Sequence, residues 1–331
     1  WINSGWLTPL DDFLRDPNKT PAGFDVQDFL PGALAPEKGT DGKLYGLPWL
    51  AEVLLAATPR FDVWQREGLA FPQSTDALLA AVQKLNRTER AAGFVAENHY
   101  GWTFIPFLQA LGGDVFRKAP HDLYTTLDTP QAIAAADYFA RLLREFGPDG
   151  VVSFTPDHAL QSLKTGRGHY GVQGQVYLAQ LADREGSKVA DTNAWGHVPA
   201  GPAGRFPGTA VHGCDIPVSS TNKDAAWQFI SWATSKATLQ RVVAAGYSAP
   251  TRRSNLESAD YQQRMRVNGY VLGNLMSEGV ELAAKQGHMA YRTVAVYPQV
   301  DQQINKAIEL IVTGQRTPEQ AMKQAQAASL A

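Results

Sequence analysis

The stretch that decides the fold is DGKLYGLPWLAEVL, Asp41 to Leu54. Asp41-Gly42 is a turn pair, because glycine accepts the left-handed backbone that a tight reversal needs. Lys43 to Leu50 then reads as a mostly apolar strand. Straight after Pro48 come Trp49 and, a little further on, the lone carboxylate Glu52. A strand of this kind is either buried at its edge or delivers an aromatic ring and an acid into a cleft.

Working outward, helices alternate with short strands. STDALLAAVQKLNRT is a helix capped at Ser74 or Thr75, with Leu78, Leu79, Val82 and Leu85 on one face. TPQAIAAADYFARLLREFG opens at Thr129-Pro130, stops at Gly147 and turns Ile133, Tyr138, Leu142 and Phe146 inward. A third helix starts at Thr155-Pro156 and ends near Gly166, followed by a strand from His169 to Val172 and a turn at Gly174. NKDAAWQFISWATS is a helix capped at Thr221 or Asn222. The helix after Pro298 ends at Gly314 with Ile304, Ile308, Ile311 and Val312 inward, and Thr317-Pro318 opens the last one. Near the start, Gly5 closes one element and a helix from Leu7 to Leu14 begins under Pro9. Strands at Lys43–Leu50, Gly196–Val198 and Asp215–Val218 are separated by helices, which predicts an α/β fold with largely parallel sheets. Trp64, Trp227 and Trp232 lie at helical positions and are assigned to the core. The segment PAGPAGRFPGTAVHG, 199–213, is a Gly/Pro loop.

Composition narrows the function. The chain has 331 residues, a net charge of −2 and 19% charged residues, so no basic excess points to nucleic acid. No apolar run approaches the roughly 18 residues that span a bilayer. Cys214 is the one cysteine, which excludes an intrachain disulfide and a multi-cysteine metal site. The histidines are scattered, without ligand spacing for a metal. No G-x-S-x-G, P-loop, H-E-x-x-H or G-x-G-x-x-G motif is present, so neither catalytic residues nor cofactors are assigned. Asp11-Asp12 reads as a solvated helix start favoured by the macrodipole rather than an acid–base pair.

The order of the pieces resembles one family. DGKLYGLPW followed by FDVWQREGLAFPQSTDALLAAVQKL is similar to a segment of the bacterial extracellular solute-binding proteins of ABC importers. GWTFIPFLQALGGDVF resembles that family's aromatic helix with its Gly-Gly-Asp turn. DAAWQFISWATSKATLQRVVAAGYSAPTRRS resembles its A-A-W-x-F-I-x-W helix and G-x-x-P-x-R-x-S loop, and IVTGQRTPEQAMKQAQ its C-terminal signature. Together they span nearly the whole chain. Ser187–Val189 and Trp232–Lys236 lean towards the sugar- and polyol-binding members, which include maltose-binding protein. Two departures stand out: Pro59-Arg60-Phe61-Asp62 replaces the family's Y-N-K-D, and His212-Gly213 replaces its tryptophan site on a crossover strand.

The resemblance implies a two-lobed, type II periplasmic-binding-protein fold with hinge crossovers and a ligand cleft between the lobes. It implies lobes of 1–52 with 214–292 and 53–213 with 293–331. It also implies an opening strand–helix–strand segment ahead of Trp1 and a secretion signal on the precursor. Trp49, Glu52, His212 and Asp215 fall at the crossovers, Asp215 either in the site or holding the hinge. Trp102 is expected to stack on ligand or to pack in the core, and Tyr177 shares that pair of readings. Gln175 either bonds a hydroxyl or holds its turn. Tyr247 belongs to the loop that carries Arg252, itself a structural anchor. Arg292 suits paired hydroxyls or an acidic group. The implied ligand is a carbohydrate or polyol and the implied partner a cognate ABC permease. The protein is then a monomer, periplasmic or extracellular, lipid-anchored in a Gram-positive source. The competing functions are a binding protein for a phosphorylated or sulfonated glycoside and a carbohydrate-active enzyme.

Overall fold

The computed structural model describes residues 1–2, 4–267 and 269–330. The chain forms two compact units: Trp1–Val53 with Thr209–Arg266 and Val271–Gln286, and Leu54–Gly208 with Val267–Tyr270 and Gly287–Ala331. The strands are β1 (Gly46–Thr58), β2 (Ala92–Ala96), β3 (Phe116–Lys118), β4 (Asp122–Thr125), β5 (Gly168–Gly174), β6 (Ala194–His197), β7 (Thr209–Asp215), and the short pair β8 (Arg266–Val267) and β9 (Tyr270–Val271). β1 is the strand foreseen at Lys43–Leu50, but it runs on to Thr58 and passes from the first unit into the second.

In the first unit, the early half of β1 pairs antiparallel with β7. Leu10, Phe13, Phe29, Leu47, Ile216, Trp227 and Ile230 form the core, with Phe13 and Trp227 stacked at 5.5 Å. The helix Lys223–Ala233 turns Trp227 and Ile230 inward. Trp232, assigned to the core from its spacing, is 55% exposed and tilts against the equally exposed Phe229, because the helix has only one buried stripe. Arg252 is the anchor expected of it. It is buried, its guanidinium lies 3.9 Å from the Phe29 ring centre, and it donates to the carbonyls of Thr234 and Asp25 at 2.7 and 2.6 Å.

In the second unit, β2 pairs parallel with β5, β5 pairs antiparallel with the late half of β1, and β1 pairs antiparallel with β6. The largely parallel sheet predicted from the sequence is therefore corrected: among the named strand pairs of the described residues, only β2–β5 runs parallel. Parallel pairing needs a long crossover connection, which β2 and β5 have; β1 meets strands that arrive running the other way. The helices Thr75–Leu85, Pro130–Phe146 and Pro156–Lys164 start where their Ser74, Thr129 and Thr155 caps place them. In Pro130–Phe146 the buried stripe is Ala132, Ala135, Ala136, Phe139, Ala140, Leu142, Leu143 and Phe146. Ile133 and Tyr138 lie half-buried at its margin, and the Tyr138 hydroxyl donates to the Thr75 carbonyl at 2.7 Å. Small alanines let the helix approach the sheet, where Phe94 stacks on Tyr170 at 6.0 Å and Phe107 meets Phe139 at 5.3 Å.

Two further boundaries move. The strand expected at Asp215–Val218 lies earlier, at Thr209–Asp215, overlapping the end of the stretch that reads as a Gly/Pro loop. The first helix is only Asp11–Arg15, since Leu7 is held extended by a bridge to Pro217.

Candidate functional site

Two groups of side chains are candidates, one in each unit. The first is built by an irregularity in β1. Pro48 faces Gly213 and Leu50 faces His212, so Trp49 is an extra residue opposite no partner. This is a β-bulge, a device that bends a strand and re-aims a side chain. Proline has no N–H for a ladder, so it tolerates this place well; its carbonyl accepts from the Thr251 hydroxyl at 2.6 Å. The bulge leaves Trp49 40% exposed on a strand whose other residues are buried or, at Leu50 and Glu52, half-buried.

The Trp49 ring stacks on Tyr247 at 6.2 Å with 14° between planes, and His212 lies 6.4 Å away. The Tyr247 hydroxyl donates to the Trp49 carbonyl at 3.4 Å, and burial with the Glu52 charge beside it pushes this phenol up. Trp49, Glu52, His212 and Tyr247 thus come together from segments about 200 residues apart in sequence, as the 198-residue separation of the Tyr247–Trp49 bond records. Asp215 does not join them. It lies at the other end of β7, opposite Gly46, about 10 Å along the strand from His212 at 3.3 Å per residue. Its neighbour is Glu37, whose carboxyl is pushed up to about 7 by burial and then by the charge of Asp215. Glu37 packs on Gly46 and Gly213, where a Cβ would displace its carboxylate. That contact explains a glycine after His212.

The second group lies in the other unit, at the carboxyl ends of the parallel strands β2 and β5, the usual place for ligands in α/β sheets. Glu97 follows β2 and is buried, which pushes its carboxyl up. Gln173 of β5 donates to it at 3.5 Å and to the Pro156 carbonyl at 2.6 Å. His99 lies 3.8 Å from Asp301, and this neighbouring carboxylate holds the imidazole above its ordinary range. Tyr297 Oη stands 3.2 Å from Asp301 and 3.1 Å from the Gly101 carbonyl. Gly101 is required there, since a Cβ would run into the Asp301 carboxylate. The exposed Arg292 lays its guanidinium 5.3 Å from the centre of the Trp102 ring. Trp102 itself is only 8% exposed.

With this geometry in view, comparison with known proteins identifies the family. The family model for the bacterial extracellular solute-binding protein matches residues 1–240. The chain belongs to that family. It is 26% identical to the mannitol-binding protein of Pseudomonas aeruginosa over 98% of this chain and 76% of the relative. Among solved structures it is similar to an ABC transporter solute-binding protein from Agrobacterium vitis S4 with bound D-mannitol. That match has a TM-score of 0.83, 25% identity, and covers all of this chain and 81% of the other. A second, from Agrobacterium radiobacter K84 in complex with ribitol, has a TM-score of 0.84 at 20% identity and covers 99% and 80%. The fold is the type II periplasmic-binding-protein fold.

Within this solute-binding protein, Trp102 and Arg292 come together, but the ring is mostly covered rather than presented. Gln175 is buried at the start of the short helix that follows β5, and Tyr177, two residues on, is half-buried. Glu97, His99 and Asp301 were not singled out from the sequence. Their signal was present: ENHY is a polar run directly after the apolar AGFVA of β2, and Asp301 is an acid one turn beyond Tyr297 on a helix with a buried apolar face. Among the described residues, no group of His, Cys, Asp and Glu could hold a metal ion, and no helix is long and apolar enough to cross a membrane.

Proposed function

We propose that this solute-binding protein captures a polyol or a sugar and hands it unchanged to an ABC permease, working as a monomer outside the cytoplasmic membrane. The two compact units correspond to the two lobes of the family fold. The observation that carries the reading is the alternation of acceptors and donors in one place: Glu97, His99, Asp301 and Arg292. A polyol is a row of hydroxyls, each with one hydrogen to donate and lone pairs to accept. Carboxylates take the hydrogens, while imidazolium and guanidinium groups supply the return bonds. Such charge-assisted bonds are roughly twice as strong as neutral ones. In the first unit, Trp49, stacked on Tyr247 with Glu52 and His212 close by, presents a flat apolar face beside polar groups, a surface of the kind on which a sugar packs. The mannitol- and ribitol-binding relatives support the ligand class. Neither group holds a serine, threonine or cysteine paired with a base, which favours binding over turnover.

Thermal denaturation with D-mannitol, ribitol, maltose and glycerol 3-phosphate tests the proposal. A saturable rise in Tm with a polyol or sugar, and its recovery unchanged, is the expected result. No shift with any of them, or a shift with the phosphorylated compound alone, would overturn it.

A further inference from the structure

The second unit has an open depression of about 620 Å3 whose wall includes Arg87, Arg90, Asp149, His158, Ser162 and Arg167. We infer that this depression is a second ligand site, one for a phosphate-class oxyanion. It is separate from the residues discussed above. Arg90 lies just before β2 and Arg167 just before β5, at the amino ends of these strands, whereas Glu97 and Gln173 lie at their carboxyl ends. The five residues of β2 put about 15 Å between the two ends at 3.3 Å per residue.

The placement of the arginines is built by the sheet. Ala92 pairs with Gly168 in parallel register, and the Ala92 N–H donates to the Arg167 carbonyl at 2.8 Å. Arg90 and Arg167 therefore enter the depression from neighbouring strands, about 4.8 Å apart in backbone. The turn before β2 is unusual. Arg87, Glu89 and Arg90 all have left-handed backbone, with φ of 65°, 49° and 60°, in a region that non-glycine residues seldom occupy. This winding sends Glu89 away, to Arg60 at 2.9 Å and to Arg66, and leaves Arg87 and Arg90 at the depression. Strained backbone of this kind persists where the surroundings enforce it, and it concentrates at functional positions.

The charge is unbalanced. Three guanidiniums face a single carboxylate, Asp149, which is fully exposed and 3.6 Å from Arg87. Among the described residues, Arg90 and Arg167 have no carboxylate within ion-pair distance. Such a positive locus stands out in a chain of net charge −2. The guanidinium fork matches two oxygens of a phosphate or sulfate, and the hydroxyl of Ser162 in the same wall adds a donor, whereas those of Ser153 and Thr165 are committed to the carbonyls of Gly150 and Gln161. The oxyanion is either free or the headgroup of an anionic phospholipid.

Inorganic phosphate is the first probe, titrated by calorimetry against sodium chloride of equal ionic strength, which removes general screening. The wild-type protein is expected to bind saturably. The double variant Arg90→Gln, Arg167→Gln is expected to bind at least about tenfold more weakly, given the worth of hydrogen bonds to charged groups, while keeping its response to D-mannitol. Should that variant fail to fold, amide NMR of the wild type takes its place, with phosphate expected to move signals of 87–92 and 165–168. In a second arm, sedimentation with phosphatidylglycerol–phosphatidylcholine vesicles against pure phosphatidylcholine separates the sources. Phosphate-competed binding to the anionic vesicles assigns a headgroup, and phosphate binding without it assigns the free anion. No saturable phosphate binding, equal binding by the double variant, or amide shifts confined to other regions would overturn the inference.

Discussion

Replacing Trp102 by alanine separates two roles for one ring. The indole is 8% exposed and has the Arg292 guanidinium 5.3 Å from its centre. A buried aromatic covers about 150–250 Å2, and at about 25 cal/mol per Å2 that is roughly 4–6 kcal/mol for complete burial. The alanine methyl and partial collapse of the site return some of it, leaving the about 3–5 kcal/mol typical of large-to-small aromatic changes. The lost cation–π contact adds about 0.5–1 kcal/mol at this exposed edge. Against a total of about 5–15 kcal/mol for a domain, that loss is severe. Urea unfolding followed by circular dichroism is expected to show it directly, and the folded fraction is expected to bind D-mannitol within about tenfold of wild type. If Trp102→Ala lost less than about 1 kcal/mol of stability while its affinity for D-mannitol fell tenfold or more, the ring would face the ligand and the burial argument would fail.

Trp49→Ala has the opposite profile: the ring is 40% exposed, so the stability cost is modest, while D-mannitol affinity is expected to fall roughly tenfold, about 1.4 kcal/mol; unchanged affinity by calorimetry would remove Trp49 from the site. Glu37 titrates near 7 in the folded protein, well above its ordinary 4.5, so the stability that its neutral form provides is complete below about pH 4.5 and is lost as pH rises through 7. Glu37→Gln is expected to flatten that decline by up to about 3 kcal/mol between pH 5 and 8 in urea titrations, and an identical slope in the variant would show that Glu37 is not responsible. Asp301→Asn removes the neighbouring carboxylate that raises the His99 imidazole, so an NMR titration is expected to show His99 moving down. The pair's contribution, about 0.5–1 kcal/mol for partly exposed groups, is full at low pH and disappears as pH rises through the folded-state value of His99.

What the sequence made legible was local chemistry. The Thr-Pro openings at Thr129, Thr155 and Thr317 each became an N-cap, because a cap is a contract between residues three apart. Strand direction was not legible in that way. β1 meets β5, β6 and β7 through pairings more than a hundred residues long in sequence, and nothing near Lys43 or Thr209 states which way the partner runs. β7 was hidden further by its composition, since its glycine serves Glu37 rather than the strand. The same limit governs the candidate site. His99 is an unremarkable polar residue until Asp301 arrives beside it, and Arg292 reveals nothing of Trp102 except through the fold.

The stretch from Asp41 to Leu54 carries both kinds of information at once. Its turn and its apolar run announce a strand, but a regular strand would place Trp49 and Leu50 on opposite faces and continue the alternation through Glu52. Pro48 cannot supply a ladder N–H, and the extra residue after it resets the phase. From Ala51 onward the side chains follow a different register from that of Gly46 to Pro48. A bulge of this kind determines which side chains the strand offers and where. It turns the indole of Trp49 onto Tyr247 and sets Glu52 where its charge is felt by that same phenol. Pairing Trp49 regularly in the ladder, without the bulge, would therefore slip the register by one residue, shift every later side chain of β1 to the opposite face, and exchange Ala51 and Val53, both fully buried, with the half-buried Glu52. The irregularity is thus required by the core of the strand as much as by the aromatic pair that it presents.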